Sequence, residues 1–530
     1  MGRSIGKAKT PVTISVLPEL GIDYSLAASA IPDNALRASI NGYYLPGSKK
    51  WRSRPGVSCV LTEANKFASR IDAMRPHYNG TTTYLVVASG GHLYAINKAT
   101  LQGVASSRVF SSIGALSGSG VKPGLATFNT TLFIADRGAA TLRYWNSAGT
   151  YGLVAGGPTY PSSVIESRNR LWANSTNDAD SVWGSKAEWT STTFTDAGYV
   201  QLRAGYGDGM NVVSLCNGPG GTDIVIAKRN KDRGGAHTRR LNITDATPAN
   251  WFVTDPICTN AAQDNHYAMV QAFNDVWFCG DDGLYNFVGV KEYGDIKVGN
   301  VGEKINPLMK ISEAVGVGEL AYNETLGCVF VLLNRTALFA YTPQNGAFTQ
   351  WQFGSEVITS TCVLDGVTYF GTEAGRIYAL NTDNSTDVSV GSDELTYGTL
   401  TTFTSQFRTK TFSFGGYDAM VRRTAVAMTP LQAGTGDVST VDDNGNMASV
   451  FNWTQEDSAL RIGGVYATTE LIGGTDAGLR KIGQASGAPE SRRGFGGPRT
   501  DSLAFQVTFS GGARAEVSYL TADIRGTLGV

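Results

Sequence analysis

Charge is the scarcest ingredient of this chain. Only 17% of its 530 residues are Asp, Glu, Lys or Arg, against about 25% in ordinary soluble domains. The 44 basic and 45 acidic side chains cancel to a net charge of −1. A global electrostatic attraction to nucleic acid is therefore not indicated. Histidine is rarer still. His77, His92, His237 and His266 are the four copies, and none falls in a zinc-ligand spacing. His92 lies inside a hairpin pattern and reads as structural. Cys59, Cys216, Cys258, Cys279, Cys328 and Cys362 form no C-x-x-C pair. Most sit in apolar strands and read as small, reduced core residues from a cytosolic synthesis compartment. No apolar run approaches the about 20 residues of a membrane span. No apolar segment follows the basic N-terminus as a signal peptide requires, and Gly6 stands where a myristoylation motif needs Ser or Thr.

Gly, Ser, Thr and Asn fill the space left by charge, with 64 glycines among them. That mixture favours turns and β-structure over helix. Hydrophobic residues make up 42%, enough for a large core. A surface short of charge is one expected to be covered by partners.

One phrase recurs between residues 84 and 384: an apolar strand, a tight polar turn, a second apolar strand. Tyr84–Asn97, Leu132–Asn146, Val276–Val288, Val329–Tyr341 and Val367–Leu380 are its clearest copies, with weaker ones at Val164–Ala173 and Asp223–Lys228. Seven copies at about 46 residues each match the period of propeller blades, each a four-stranded sheet. Weaker strands precede several copies and end in an aromatic followed by Asn, as in Gly124–Asn129, Ala268–Asn274 and Gly318–Asn323. An Asn there suits the turn into the next strand.

The sequence therefore predicts an all-β chain: a β-propeller of six or seven blades over residues 61–384, an extended N-terminal arm over 1–60, and a β-sandwich-like domain over 385–530. Within the arm, Val12–Pro18 alternates like a strand, and Ile31–Gly42 fits one short helical turn capped by Asp33 or Asn34. The Gly-, Arg- and Ser-rich stretch 460–500 reads as a long exposed loop.

Little in the chain points to bond-making. There is no G-x-S-x-G elbow and no phosphate-binding Walker loop. Asp281–Gly283 and Asp442–Asn446 are acidic enough for calcium but read first as hairpin turns. No catalytic, cofactor or metal residues are assigned. Two basic stretches are candidate partner contacts. One is the loop Lys228–Arg240, with Lys228, Arg229, Lys231, Arg233, Arg239 and Arg240. The other is the arm segment holding Trp51, Arg52 and Arg54. A protein docking role is expected for both ahead of a phosphate-contacting one.

The order of these segments resembles a known family. An extended strand leads to Ile31–Asn41, then Trp51–Gly56 with its Arg-Pro-Gly turn, then the propeller repeats. Phe407–Gly415, Val421–Arg423 and Phe505–Gly512 through Asp523–Gly526 are similar to the sandwich strands that follow. This is the pattern of the tail nozzle or tail hub proteins of short-tailed bacteriophages, the tubular-B-like and packaged-DNA-stabilisation-like proteins. The resemblance implies a non-catalytic structural protein of the virion tail, made in the bacterial cytoplasm. It implies a homohexameric ring below the portal and adaptor proteins, contacting tail fibres or spikes. Viral double-stranded DNA would pass through without sequence-specific binding, and the ring would help retain the packaged genome. Two other readings stay open: a lectin-like, host-binding propeller, and a glycan-hydrolysing or quinoprotein enzyme.

Overall fold

Seven times the chain lays down antiparallel strands from an inner position outward. The computed structural model describes residues 12–528 apart from 62–64, 102–109, 119, 121, 191, 206, 231–234, 281–282, 290–295, 309–317, 334–336, 382–386, 391–396, 402, 415–416, 433, 443–444, 456–489, 495–498, 501 and 511–513. Blade 1 spans residues 71–115, blade 2 spans 124–153, blade 3 spans 164–203 and blade 4 spans 211–253. Blade 5 covers 269–300, blade 6 covers 318–351, and blade 7 begins at 358. Their innermost strands are Ile71–Tyr78, Gly124–Phe128, Val164–Ser167, Asn211–Asn217, Met269–Ala272, Gly318–Asn323 and Ile358–Leu364. Each touches the next, and the seventh touches the first, so the sheets close into a ring. The chain is a seven-bladed β-propeller.

The apolar residues explain the closure. They form no single core: one cluster fills each of the seven seams between neighbouring blades. A middle strand must therefore be apolar on both faces, and all six residues of Cys328–Leu333 are buried. The recurring phrase is in most copies the second and third strands of a blade. The copy at Val164–Ala173 instead covers strands one and two of blade 3, and the one at Asp223–Lys228 falls within the second strand of blade 4 alone. The aromatic–Asn segments fall at the ends of innermost strands. Asn129 and Asn274 occupy left-handed positions, with φ of 45° and 65°, in two-residue turns; short polar side chains tolerate that region. Asn323 instead accepts a hydrogen bond from the Leu326 N–H at 2.9 Å.

The arm contributes five strands: β1 (Val12–Val16), β2 (Leu36–Ile40), β3 (Gly42–Tyr43), β4 (Trp51–Ser53) and β5 (Gly56–Cys59). β5 is the fourth strand of blade 7, paired antiparallel to Ile377–Asn381 with Val57 opposite Leu380. The ring is thus fastened by residues from before the first blade. The other four arm strands enter a C-terminal β-sandwich. One of its sheets pairs Tyr417–Gln432 with Arg514–Leu528, and β1 and β4 add to the latter. The second runs β2, Ser405–Thr409, Ser502–Ser510, Gly434–Val441, Met447–Gln455. Trp51, Phe407, Val426, Val438, Phe505 and Val517 belong to the apolar cluster they share. β2 also meets the outer strand of blade 6 at Ile40–Gln350, so one ten-stranded sheet runs from propeller into sandwich.

Two expectations change. Leu36–Ile40 is a strand, not part of a helical turn, because Ser405–Thr409 offers it a sheet edge. Within 460–500, residues 460–489 and 495–498 lie outside the described part, but Glu490–Gly494 and Arg499–Thr500 are strands on Tyr417–Gln432.

Candidate functional site

Several of the residues that carry the sequence resemblance, Asn41, Trp51, Arg54 and Phe407, lie close together. Arg54 is fully buried. Its Nε donates to Asn41 Oδ1 at 2.8 Å, Nη1 to Pro55 O at 2.9 Å and Nη2 to Gln352 O at 2.9 Å. The guanidinium lies 3.8 Å from the Phe403 ring centroid and 4.7 Å from that of Phe353. Asn41, at φ 55°, donates to Thr404 O and accepts from the Gln352 N–H, both at 2.8 Å. Arm, blade 6 and the start of the sandwich are thereby pinned to one planar cation.

Trp51 is equally buried and packs on Phe407 and Phe509. Its Nε1 donates to Ser39 Oγ at 2.8 Å. A Cβ on Gly42 would lie 2.2 Å from that nitrogen, so only glycine fits there. Half-buried Arg52 lies over the Tyr43 ring. Trp51 and Arg54 therefore offer no docking surface. They hold the chain to itself.

The basic run 228–240 is also placed differently from its sequence reading. It is a hairpin of blade 4, strands Asp223–Arg229 and Ala236–Asn242, not a loop. Lys228 is fully buried, its Nζ donating to Asp180 Oδ1 at 2.9 Å and to both Asp208 oxygens at 2.8 Å. Arg239 donates to Thr254 O and faces Asp208, Arg240 pairs with Asp223, and Arg229 reaches Ala262 O. His237 Nε2 lies 3.2 Å from Asp208, and burial, with Arg239 and Lys228 adding to it, holds its pKa below the usual value. Lys228, with Arg239 beside it, neutralises the Asp180 and Asp208 carboxylates, and Arg240 neutralises Asp223, a requirement of burying such charges at all. Lys231 and Arg233 lie outside the described residues.

Sequence reasoning missed the feature on the propeller axis. A short turn, His266–Ala268, precedes the innermost strand of blade 5 and lies across one end of the channel. Tyr267 Oη donates to Pro123 O at 3.0 Å, at the start of blade 2. His266 Nδ1 shares a 3.0 Å hydrogen bond with Ser163 Oγ, before blade 3. Asn265 Nδ2 donates to Gly318 O of blade 6 at 3.1 Å. Burial pushes the His266 pKa down to about 3, and Arg75 adds to the effect. The plug had no sequence signal, because its partners are single residues from other blades.

Beyond it lies a cavity of about 510 Å³ lined by all seven innermost strands. Cys216 and Cys362 are among its walls. Burial pushes the Cys216 thiol up to about 12, and Cys362 shifts the same way; neither is a poised nucleophile. The acidic turn at 442–446 is a hairpin turn whose Asp442 carboxylate accepts from the Asn446 N–H and side chain. Asp281 and Asp282 lie outside the described residues. Among the described residues no group of three or more His, Cys, Asp or Glu side chains is placed to hold a metal ion.

No protein-family model matches the chain, and no curated protein matches it. Among solved structures it is similar to the β-propeller domain of Cps50 (Swd1) from Myceliophteria thermophila, at 11% identity and TM-score 0.42, covering 61% of this chain and 98% of that one. It is similar to hydrazine synthase from Kuenenia stuttgartiensis at 11% identity and TM-score 0.40, with 61% and 98% covered. The designed protein Ika8 gives 10% identity and TM-score 0.36, with 61% and 99% covered. These likenesses concern the fold alone, and the strand order and ring closure carry the propeller assignment.

Proposed function

We propose that this chain is a structural subunit of the tail nozzle or hub of a short-tailed bacteriophage. Six copies form a ring below the portal and adaptor proteins, and tail fibres or spikes attach to it. The ring guides the genome out and helps retain it beforehand; no catalysis is involved. The observation that supports this reading best is the clasp around Arg54. The family resemblance rested on Asn41 and on Arg54-Pro55-Gly56, which are separated in sequence. In the fold these residues form one fastener: Arg54 bonds Asn41 directly, and Gly56 starts the strand that closes blade 7. Residues related in this way belong to a construction unit that must keep propeller and sandwich in fixed relation.

The plugged axis bears on where DNA would pass under this reading. The major groove of a duplex is alone about 12 Å wide, and the His266–Ala268 turn crosses the propeller's own channel. The genome route is therefore the axis of the ring, between subunits. A lumen of nearly neutral subunits exerts little hold on phosphates. The low charge content also suits subunit interfaces built from apolar and amide surface. Light scattering on the purified chain tests the reading. A particle of six chain masses is expected, and a monomer at micromolar concentration that binds or turns over a glycan overturns it.

A further inference from the structure

The axial cavity is a blind pit, and its chemistry is specific. Its plugged end is formed by the His266–Ala268 turn, with Leu125, Val164 and Leu320 on the walls. Its other end lies where the innermost strands turn outward, and there Arg75, Glu166 and Gln271 are exposed. At about 510 Å³ it has the size of small-molecule sites, about 300–1,000 Å³.

Among the described residues Arg75 is the only Lys or Arg lining the pit, and Glu166 the only acid. Among the described residues no hydrogen bond or ion pair holds the Arg75 guanidinium. Other cations of the innermost region are engaged: Lys122 pairs with buried Glu319 and Arg70 with Asp72. Glu166 forms no ion pair with Arg75 among the described residues; its Oε1 accepts from the Asn169 N–H in its own turn. The field of Arg75 reaches Cys216, His266, Tyr267 and Cys362, on blades 4, 5 and 7 or the plug. Its charge is therefore felt across the pit. Two further polar atoms of the lining are buried without a partner among the described residues: the hydroxyl of Thr361, itself 3% exposed, and Oδ1 of Asn217. Orphaned polar atoms in a pit with an uncommitted guanidinium are what a bound ligand would satisfy.

We propose that this pit binds one small organic oxyanion per chain, a carboxylate or a phosphate ester. The anionic group takes the Arg75 fork, the Thr361 hydroxyl donates to it, and a donor on the ligand reaches Asn217 Oδ1. The carbon skeleton lies against Met74, Leu125 and Met269. This site is independent of the ring reading, since it lies off the proposed DNA route.

Isothermal titration of the full chain with citrate, and separately with inorganic phosphate, tests it and distinguishes the two anion chemistries. Saturable one-to-one binding of at least one probe is expected, weakened tenfold or more in Arg75→Gln and partly restored in Arg75→Lys. Thr361→Val should weaken it several-fold, and Lys49→Gln on the arm should leave it unchanged. Arg75 has no partner to lose among the described residues, so the Arg75→Gln thermal midpoint should match the wild type and exclude misfolding. No saturable binding of either probe, or binding indifferent to Arg75→Gln, overturns the proposal.

Discussion

Arg54 shows how much a single side chain can join. Its guanidinium is fully buried and bonds Asn41 of the arm and the Gln352 carbonyl at the end of blade 6, with the Phe403 ring beside it. Replacing it with Met removes the donors and leaves Asn41 Oδ1 and Gln352 O short of partners. The expected loss is about 3 kcal/mol from these charged hydrogen bonds and orphaned acceptors, read as a lower denaturant midpoint. Arg54→Lys should recover little, since one ammonium cannot serve the same planar set. His266 sets a pH dependence. Its pKa is held down to about 3 from an ordinary 6.5, so the folded chain keeps it neutral while the unfolded chain protonates it. Stability is then fully present above pH 6.5 and falls as the pH drops from 6.5 toward 3. About 2 kcal/mol should be lost between pH 7 and pH 5. His77 shifts the same way, to about 4. In His266→Gln the slope of unfolding free energy against pH should become shallower; an unchanged slope would contradict the assignment. Neither residue's role was legible in the sequence. A basic stretch reads as surface, and Lys228 shows why. Its carboxylate partners stand 48 and 20 residues away, so only the folded seam brings the charges together.

At the scale of elements, the strands that were legible are those buried on both faces. Val329–Tyr341 and Val367–Leu380 gave clear signals because the seam packing demands apolar, β-branched or aromatic residues at nearly every position. The outer strands gave none. Tyr151–Leu153 and Phe252–Val253 have three and two residues, too few for any periodicity to register. β5 was hidden for another reason. It lies in the arm by sequence and in blade 7 by pairing, and no local pattern announces a partner more than 300 residues on. Its placement makes a prediction. Val57→Pro removes a ladder donor from the strand that closes the ring. Hydrogen exchange in Ile377–Asn381 should accelerate first, before blades 2 to 5, and the thermal midpoint should fall by several degrees. Uniform protection loss across all blades would mean the fastening is not local to this seam.

At the scale of the molecule, propeller, arm and sandwich are one fabric. Chain start and chain end pair through β1 and Arg514–Leu528, and blade 6 continues into the sandwich through β2. Strands from before residue 60 therefore serve both the propeller and the sandwich. This construction suits a part that transmits load between neighbours, and in the proposed ring the plugged axis would leave any wide passage to the space between subunits. Electron cryo-microscopy of the purified chain tests that claim most directly. End-on views should show a six-fold ring with an open central lumen, surrounded by propellers whose own axes are closed at one end. Isolated single propellers, or a ring whose only continuous passage runs through the propeller axes, would contradict the account.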